Sequence, residues 1–177
     1  MKKIILSALV AVSALSANAQ VWMGGALGFG VKDFEGSDDS QLTLTVKPEV
    51  GYTINENWDV AVGLGFNILN NELGRKDHNT TTFSVNPYAR YTFAKTGIAS
   101  FFVDGGVSFE SVKLKGSDAT TAFWVGVRPG FKVTLSDKVS LVSHVGNLGY
   151  KTVKDTYNEF GFGVDNNAID FGLYWAF

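Results

Sequence analysis

The chain has no cysteine, three prolines, two histidines and only 18% charged residues. Each scarcity excludes something. Without cysteine, no disulfide can hold a small exported scaffold together, so an exported chain of this kind needs a large sheet or core. Fifteen lysines and arginines stand against 17 aspartates and glutamates, a formal charge of −2. That leaves no basic excess of the kind that follows a nucleic-acid backbone, and no nucleic-acid partner is expected. Zinc, haem, nucleotide and P-loop motifs are absent, so the sequence implies no cofactor and no metal. After residue 20 no apolar run could serve as a spanning helix of roughly 20 residues.

What the chain has in quantity is glycine (20), phenylalanine (14) and aromatic side chains generally (14%), with a mean hydropathy of +0.08. Such a composition is unusually apolar for a water-soluble domain. The first residues are Met1-Lys2-Lys3, an apolar run over 4–15, and Ala17-Asn18-Ala19 before Gln20. This is the three-part layout of a signal peptide, 1–19, and the run is too short to anchor a helix in a bilayer. The mature domain is then 20–177, about 158 residues, with a formal charge of −4 once Lys2 and Lys3 are gone.

From Gln20 onward apolar residues recur with a period of two, which puts successive side chains on opposite faces of a strand. Eight runs show it. In 21–31, Val21, Met23, Leu27, Phe29 and Val31 oppose Gly24, Ala26, Gly28 and Gly30. In 42–53, Leu44, Val46, Val50 and Tyr52 oppose Thr43, Thr45, Lys47, Glu49 and Gly51. The runs 58–68 and 83–93 repeat the pattern, with Asp59 and Arg90 on their polar faces. In the fifth run Phe101, Val103, Val107 and Phe109 oppose Asp104, Gly106, Ser108 and Glu110; in the sixth, Phe123, Val125, Val127 and Phe131 oppose Gly126, Arg128, Gly130 and Lys132. The seventh, 139–150, is less regular and breaks register near Gly146-Asn147. The last alternates Ile169, Phe171, Leu173, Trp175 and Phe177 with Asp170, Gly172, Tyr174 and Ala176.

An eight-stranded barrel has an interior just wide enough for side chains. The bulky apolar face is too large for it, whereas the glycine-rich polar face fits. A soluble lipocalin-type carrier would need the reverse parity. The sequence therefore predicts an all-β, eight-stranded, antiparallel up-and-down transmembrane β-barrel, apolar outside and polar within. Connections alternate in length: long at 32–41, 69–82, 113–121 and 151–167, short at 54–57, 94–100 and 135–138. Long loops on one side and short turns on the other are the outer-membrane pattern, with the loops outside the cell and both termini in the periplasm. Outward aromatics fall in two bands. Phe29, Phe66, Phe83, Phe109 and Phe123 lie near the loop side. Tyr52, Trp58, Tyr91, Phe93, Phe101, Phe131, Trp175 and Phe177 lie near the turn side, as membrane-interface girdles do.

The final segment 169–177, ending on an aromatic residue, looks like the terminal strand read by outer-membrane assembly machinery. A loose repeat of about 40 residues appears in Lys47-Pro48-Glu49-Val50-Gly51-Tyr52, Asn86-Pro87-Tyr88-Ala89-Arg90-Tyr91 and Arg128-Pro129-Gly130-Phe131-Lys132-Val133. With Val145-Gly146-Asn147-Leu148-Gly149-Tyr150, these segments resemble the porin-family outer-membrane β-barrel proteins, the small barrels of OmpA and OmpX type. The resemblance implies the fold, the outer membrane of a Gram-negative cell, and outer-membrane lipid and the assembly machinery as partners. It implies no one activity. Because proline cannot donate to a ladder and a barrel has no free edge, local bulges are expected at Pro48, Pro87 and Pro129.

Inward charges are the candidate site: a lumen network of Lys47, Glu49, Arg90, Asp104, Arg128, His144 and Asp170, beside Asp59, Glu110 and Lys132. If Phe93 pairs with Phe101, Arg90 faces Asp104. If Val133 pairs with Val139, His144 falls beside Arg128, a neighbour that favours neutral imidazole. The network reads as a satisfied polar filling, and no catalytic residue is assigned. Function then belongs to the scaffold itself or to a surface ligand at the long loops; the acidic segment 33–39 lacks the ligand spacing of a calcium loop. Two alternatives stay open. One is a porin-like channel for small solutes, although aqueous pores need about 16 to 18 strands. The other is an enzyme acting on outer-membrane lipid, which would have to draw its base from His78 or His144.

Overall fold

The computed structural model describes residues 21–33, 40–71, 79–163 and 169–177. Residues 1–19, residues 34–39 of the acidic segment and His78 lie outside the described residues. The strands are β1 (Val21–Asp33), β2 (Ser40–Thr53), β3 (Trp58–Asn71), β4 (Thr80–Thr96), β5 (Ala99–Leu114), β6 (Thr120–Thr134), β7 (Val139–Val145), β8 (Asn147–Val153), β9 (Tyr157–Gly163) and β10 (Ile169–Ala176). Every ladder is antiparallel. β7 and β8 both pair with β6 and form the two halves of a seventh wall strand, while β9 on β8 and β10 on β7 form the eighth. β10 also pairs with β1, from Trp22 opposite Ala176 to Ala26 opposite Gly172. The result is a closed, eight-stranded, all-β barrel, with no helix among the described residues.

The alternation works as a barrel wall. Val60, Val62, Leu64 and Phe66 of β3 are exposed on the outer surface, whereas Gly63 and Gly65 between them are buried. The register break expected near Gly146 is present: Val127 pairs with Leu148 but Gly130 pairs with His144, so two residues of β6 span three of the seventh strand.

Two connections differ from expectation. The predicted long segment 113–121 shrinks to 115–119, because β5 runs to Leu114 and β6 starts at Thr120, which makes it about as short as the turns 54–57 and 135–138. Residues 151–167 are not a long loop, because β8 runs through Val153, a turn over 154–156 reverses the chain, and β9 returns beside it. Asp155 takes a φ of 57° in that turn, a left-handed conformation that aspartate tolerates better than most residues. The alternation of Phe160 and Phe162 with Gly161 and Gly163 marks β9, but the polar residues around it conceal so short a segment.

The prolines also differ. No bulge forms at Pro48 or Pro87. Pro48 pairs with Gly25 of β1, and the β2–β3 ladder is simply interrupted between Val46 and Glu49, in unchanged register. Pro87 pairs with Val62 of β3, and the β4–β5 ladder is interrupted between Val85 and Tyr88, again in register. In an antiparallel strand each residue directs its N–H to one neighbour only, so a missing donor breaks one rung on one side. Only Pro129, opposite Val103, adjoins a register shift, the one near Gly146. Gly25 answers Pro48 with a φ of 152°, and a side chain there would strike the Lys47 carbonyl. A separate bulge, with no proline, lies between Thr92 and Ala94.

Inside, room for rings comes from missing side chains on the next strand. A Cβ on Gly51 would stand 2.1 Å from the Trp22 indole, and from no other nearby group first. Gly51→Ala is expected to destabilise the barrel by about 1–3 kcal/mol through overpacking. Urea unfolding in detergent micelles measures this, and in a Trp22→Ala background the added cost should fall below about 0.5 kcal/mol. An equal cost in both backgrounds would contradict the packing assigned here.

Candidate functional site

The turn-end half of the lumen is filled from five places around the wall. Arg90 of β4 faces Asp104 of β5, and its Nε and Nη2 donate to the two carboxylate oxygens at 2.7 and 2.9 Å. Both are almost wholly enclosed, at 3% and 1% exposure, which makes this bidentate pair a desolvated one. Asp104 Oδ2 also meets His144 Nε2 of β7 at 2.8 Å, and His144 Nδ1 lies 2.8 Å from Oδ1 of Asp170 on β10. Lys47 of β2 completes the series, 3.4 Å from the other oxygen of Asp170. The order Lys47, Asp170, His144, Asp104, Arg90 alternates base and acid along the whole chain of contacts.

Both ring nitrogens of His144 face carboxylate oxygens, so both are placed to donate; a neutral imidazole has one N–H and an imidazolium two. This corrects the expectation that His144 sits beside Arg128. The β6–β7 register pairs Val133 with Leu141 rather than Val139, because Thr134 still pairs with Ser140 across the turn 135–138. His144 is therefore opposite Gly130. Arg90 does face Asp104, although Phe101 pairs with Ala94 and not with Phe93; the bulge that displaces Phe93 lies below the pair and leaves it in register.

Around the charges stands a set of rings. The Arg90 guanidinium lies 3.8 Å from the Phe102 ring centre and within 6 Å of Trp22, Tyr88 and Tyr174. Phe102 meets His144 edge-on at 5.5 Å. The Tyr88 and Tyr174 hydroxyls both donate to Glu49 Oε2, at 2.6 and 2.8 Å, so Glu49 joins the cluster through phenols rather than cations. Among the described residues, no buried side-chain nitrogen or oxygen lacks a partner.

Trp22 and Phe102 were not singled out from the sequence. Their signal was parity itself: each is one residue off the apolar phase of its run, opposite Gly51 and Gly130 respectively. Of the other inward charges, Asp59 accepts from Thr53 Oγ1 at 2.6 Å, and Glu110 pairs with Lys151 at 2.9 Å. Lys132 lines a turn-end cavity of about 220 Å³ together with Asp59 and Arg90. A second cavity, of about 350 Å³, opens toward the loop end, and Arg128 is in its wall. Arg128 does not join the contact series; its guanidinium lies 5.5 Å from the Tyr88 ring. Ser143 is buried and its hydroxyl turns to the carbonyl of His144, not to the imidazole.

On the outer face, Trp58 and Tyr91 stack at 4.8 Å, Phe101 is paired with Phe131, and Tyr52, Phe93, Trp175 and Phe177 lie at the same turn end. Phe66 with Phe83 and Phe109 with Phe123 form close ring pairs toward the loops.

A closed sheet that is apolar without and polar within is a membrane-spanning barrel. The chain belongs to the outer membrane protein β-barrel domain family, whose model matches residues 4–177. It is a small outer-membrane protein of a Gram-negative bacterium, in contact with membrane lipid. By sequence, no curated protein matches it. Among solved structures, the Neisserial surface protein A (NspA) is similar at 18% identity and a TM-score of 0.54, over 90% of this chain and 98% of that one. The Yersinia pestis outer membrane protein Ail aligns at 14% identity and a TM-score of 0.48, over 89% and 99% of the two chains. The translocator domain of the autotransporter NalP from Neisseria meningitidis aligns at 12% and 0.39, over 99% and 96%. The first of these matches the fold.

Breaking a buried ion pair from one side costs about 3–5 kcal/mol, whereas replacing both partners with apolar residues costs much less. Asp104→Ala is expected to lose about that much in urea unfolding. The Arg90→Met, Asp104→Leu double variant should lose less than either single change. Additive losses would show that the two side chains act independently.

Proposed function

We propose that this barrel is a plugged, non-conducting scaffold of the outer membrane, structural or surface-binding through its loop end, and without catalysis. The observation that carries this reading is the contact series from Lys47 to Arg90, which draws on β2, β10, β7, β5 and β4 and so closes the lumen from most of its circumference. Arg90 and Tyr174 floor the turn-end cavity, while Glu49 and Tyr88 floor the loop-end one. Water entering from either side meets charged groups and rings that belong to one connected filling. The loops face outward from the cell and both termini face the periplasm. Residues 1–19 are removed on export, and the C-terminal strand addresses the chain to the assembly machinery. The interface aromatics at the turn end anchor that rim in the headgroup region.

Against a lipid-modifying enzyme stands the position of His144, with both ring nitrogens engaged by carboxylates and no hydroxyl nucleophile on either. Folded protein in a planar bilayer is expected to give no resolvable conductance steps. Reproducible steps from monodisperse wild-type protein would replace this reading with that of a small-solute channel.

A further inference from the structure

We propose that the loop-end cavity is a binding site for a small organic anion, a carboxylate or a phosphate monoester, received by Arg128. This goes beyond the plugged scaffold, which needs only the floor of that cavity and not its cationic wall. Lys47 and Lys151 also line the cavity, and each sits at a carboxylate, Asp170 and Glu110 respectively. Among the described residues, Arg128 is the cation of this wall with no carboxylate within ion-pair distance; its contact is the face of Tyr88. The two acids of the wall are already engaged, Glu49 by two phenols and Glu110 by Lys151 and Ser108. With Lys47, Arg128 and Lys151 against Glu49 and Glu110, the lining carries a formal +1.

A guanidinium offers five N–H donors in a planar fork that matches carboxylate and phosphate oxygens two at a time. Half-buried in the wall of an open cavity, it is a charge that an incoming anion can neutralise through both arms of that fork. Asn86 and Asn147 supply neutral polar groups on the same wall, and the Tyr88 and Trp124 rings supply flat apolar surface for the body of the ligand. A volume of about 350 Å³ suits a molecule with one ring or a short chain, at the lower end of the roughly 300–1,000 Å³ typical of small-molecule sites.

The test uses the full folded barrel in detergent micelles, titrated with benzoate, phenyl phosphate and the neutral benzyl alcohol, followed by ligand-observed NMR and tryptophan fluorescence. Saturable binding of at least one anion, with benzyl alcohol at least tenfold weaker, is the expected result. Arg128→Gln should weaken the anion at least tenfold, and Arg128→Lys should retain part of the affinity by keeping the charge without the fork. Response to benzoate alone identifies a carboxylate site, and response to phenyl phosphate alone a phosphate site. Equal affinity for benzyl alcohol, no saturable binding, or unchanged affinity in a folded Arg128→Gln variant overturns the proposal. If that variant does not fold, the contrast between anions and alcohol on the wild type decides alone. Bilayer conductance is read separately, so failure of the plugged-scaffold reading and failure of this site are distinguishable.

Discussion

A backbone amide or carbonyl left without a partner in hydrocarbon costs several kcal/mol, and a sheet in a membrane escapes that cost by closing on itself. The five pairs between β1 and β10 join the two ends of this chain's sheet. Closure then dictates the parity. With lipid outside, the side chains that favour hydrocarbon must point away from the axis, and the wall encloses whatever remains on the other phase. Proline is admissible under the same rule when the lost donor faces a single neighbour, as at Pro48 and Pro87.

A narrow interior lined by the polar phase has to be filled, and its filling has to be satisfied. Glycines at positions such as Gly51 and Gly130 leave space for Trp22 and Phe102, and those rings, with Tyr88 and Tyr174, surround Arg90. The charge is held between Asp104 and the ring faces rather than in water. Each carboxylate in the series serves two donors: Asp104 takes Arg90 and His144, and Asp170 takes His144 and Lys47. Such shared acceptors couple five strands, so the network ties together the parts of the wall that carry it.

Much of this was legible in the sequence because a period of two is a strong signal repeated eight times. The wall, the closure, the outward face of the apolar residues and the opposition of Arg90 and Asp104 all follow from parity and from counting back from a short turn. The same count failed at His144, since it depends on which residues flank the turn, and a two-residue error between Val139 and Leu141 moves the imidazole from a cation to two acids. The turn at 154–156 was hidden because β9 is short and lies among polar residues. Trp22 and Phe102 were passed over because each stands between two apolar neighbours, where alternation is hardest to see. No pairwise count could have joined His144 to Asp104, which come from strands separated in the wall by β6 and meet only across the lumen.

The inside-out parity is tested most directly by single spin labels placed in turn along Asp59 to Phe66 of β3, with the protein in lipid vesicles. Collision with oxygen, which dissolves in the bilayer, and with a water-soluble nickel chelate is measured at each site. The account predicts a two-residue alternation, with Val60, Val62, Leu64 and Phe66 accessible to oxygen and Ala61, Gly63 and Gly65 shielded from it. An alternation of opposite phase, or none, would contradict it.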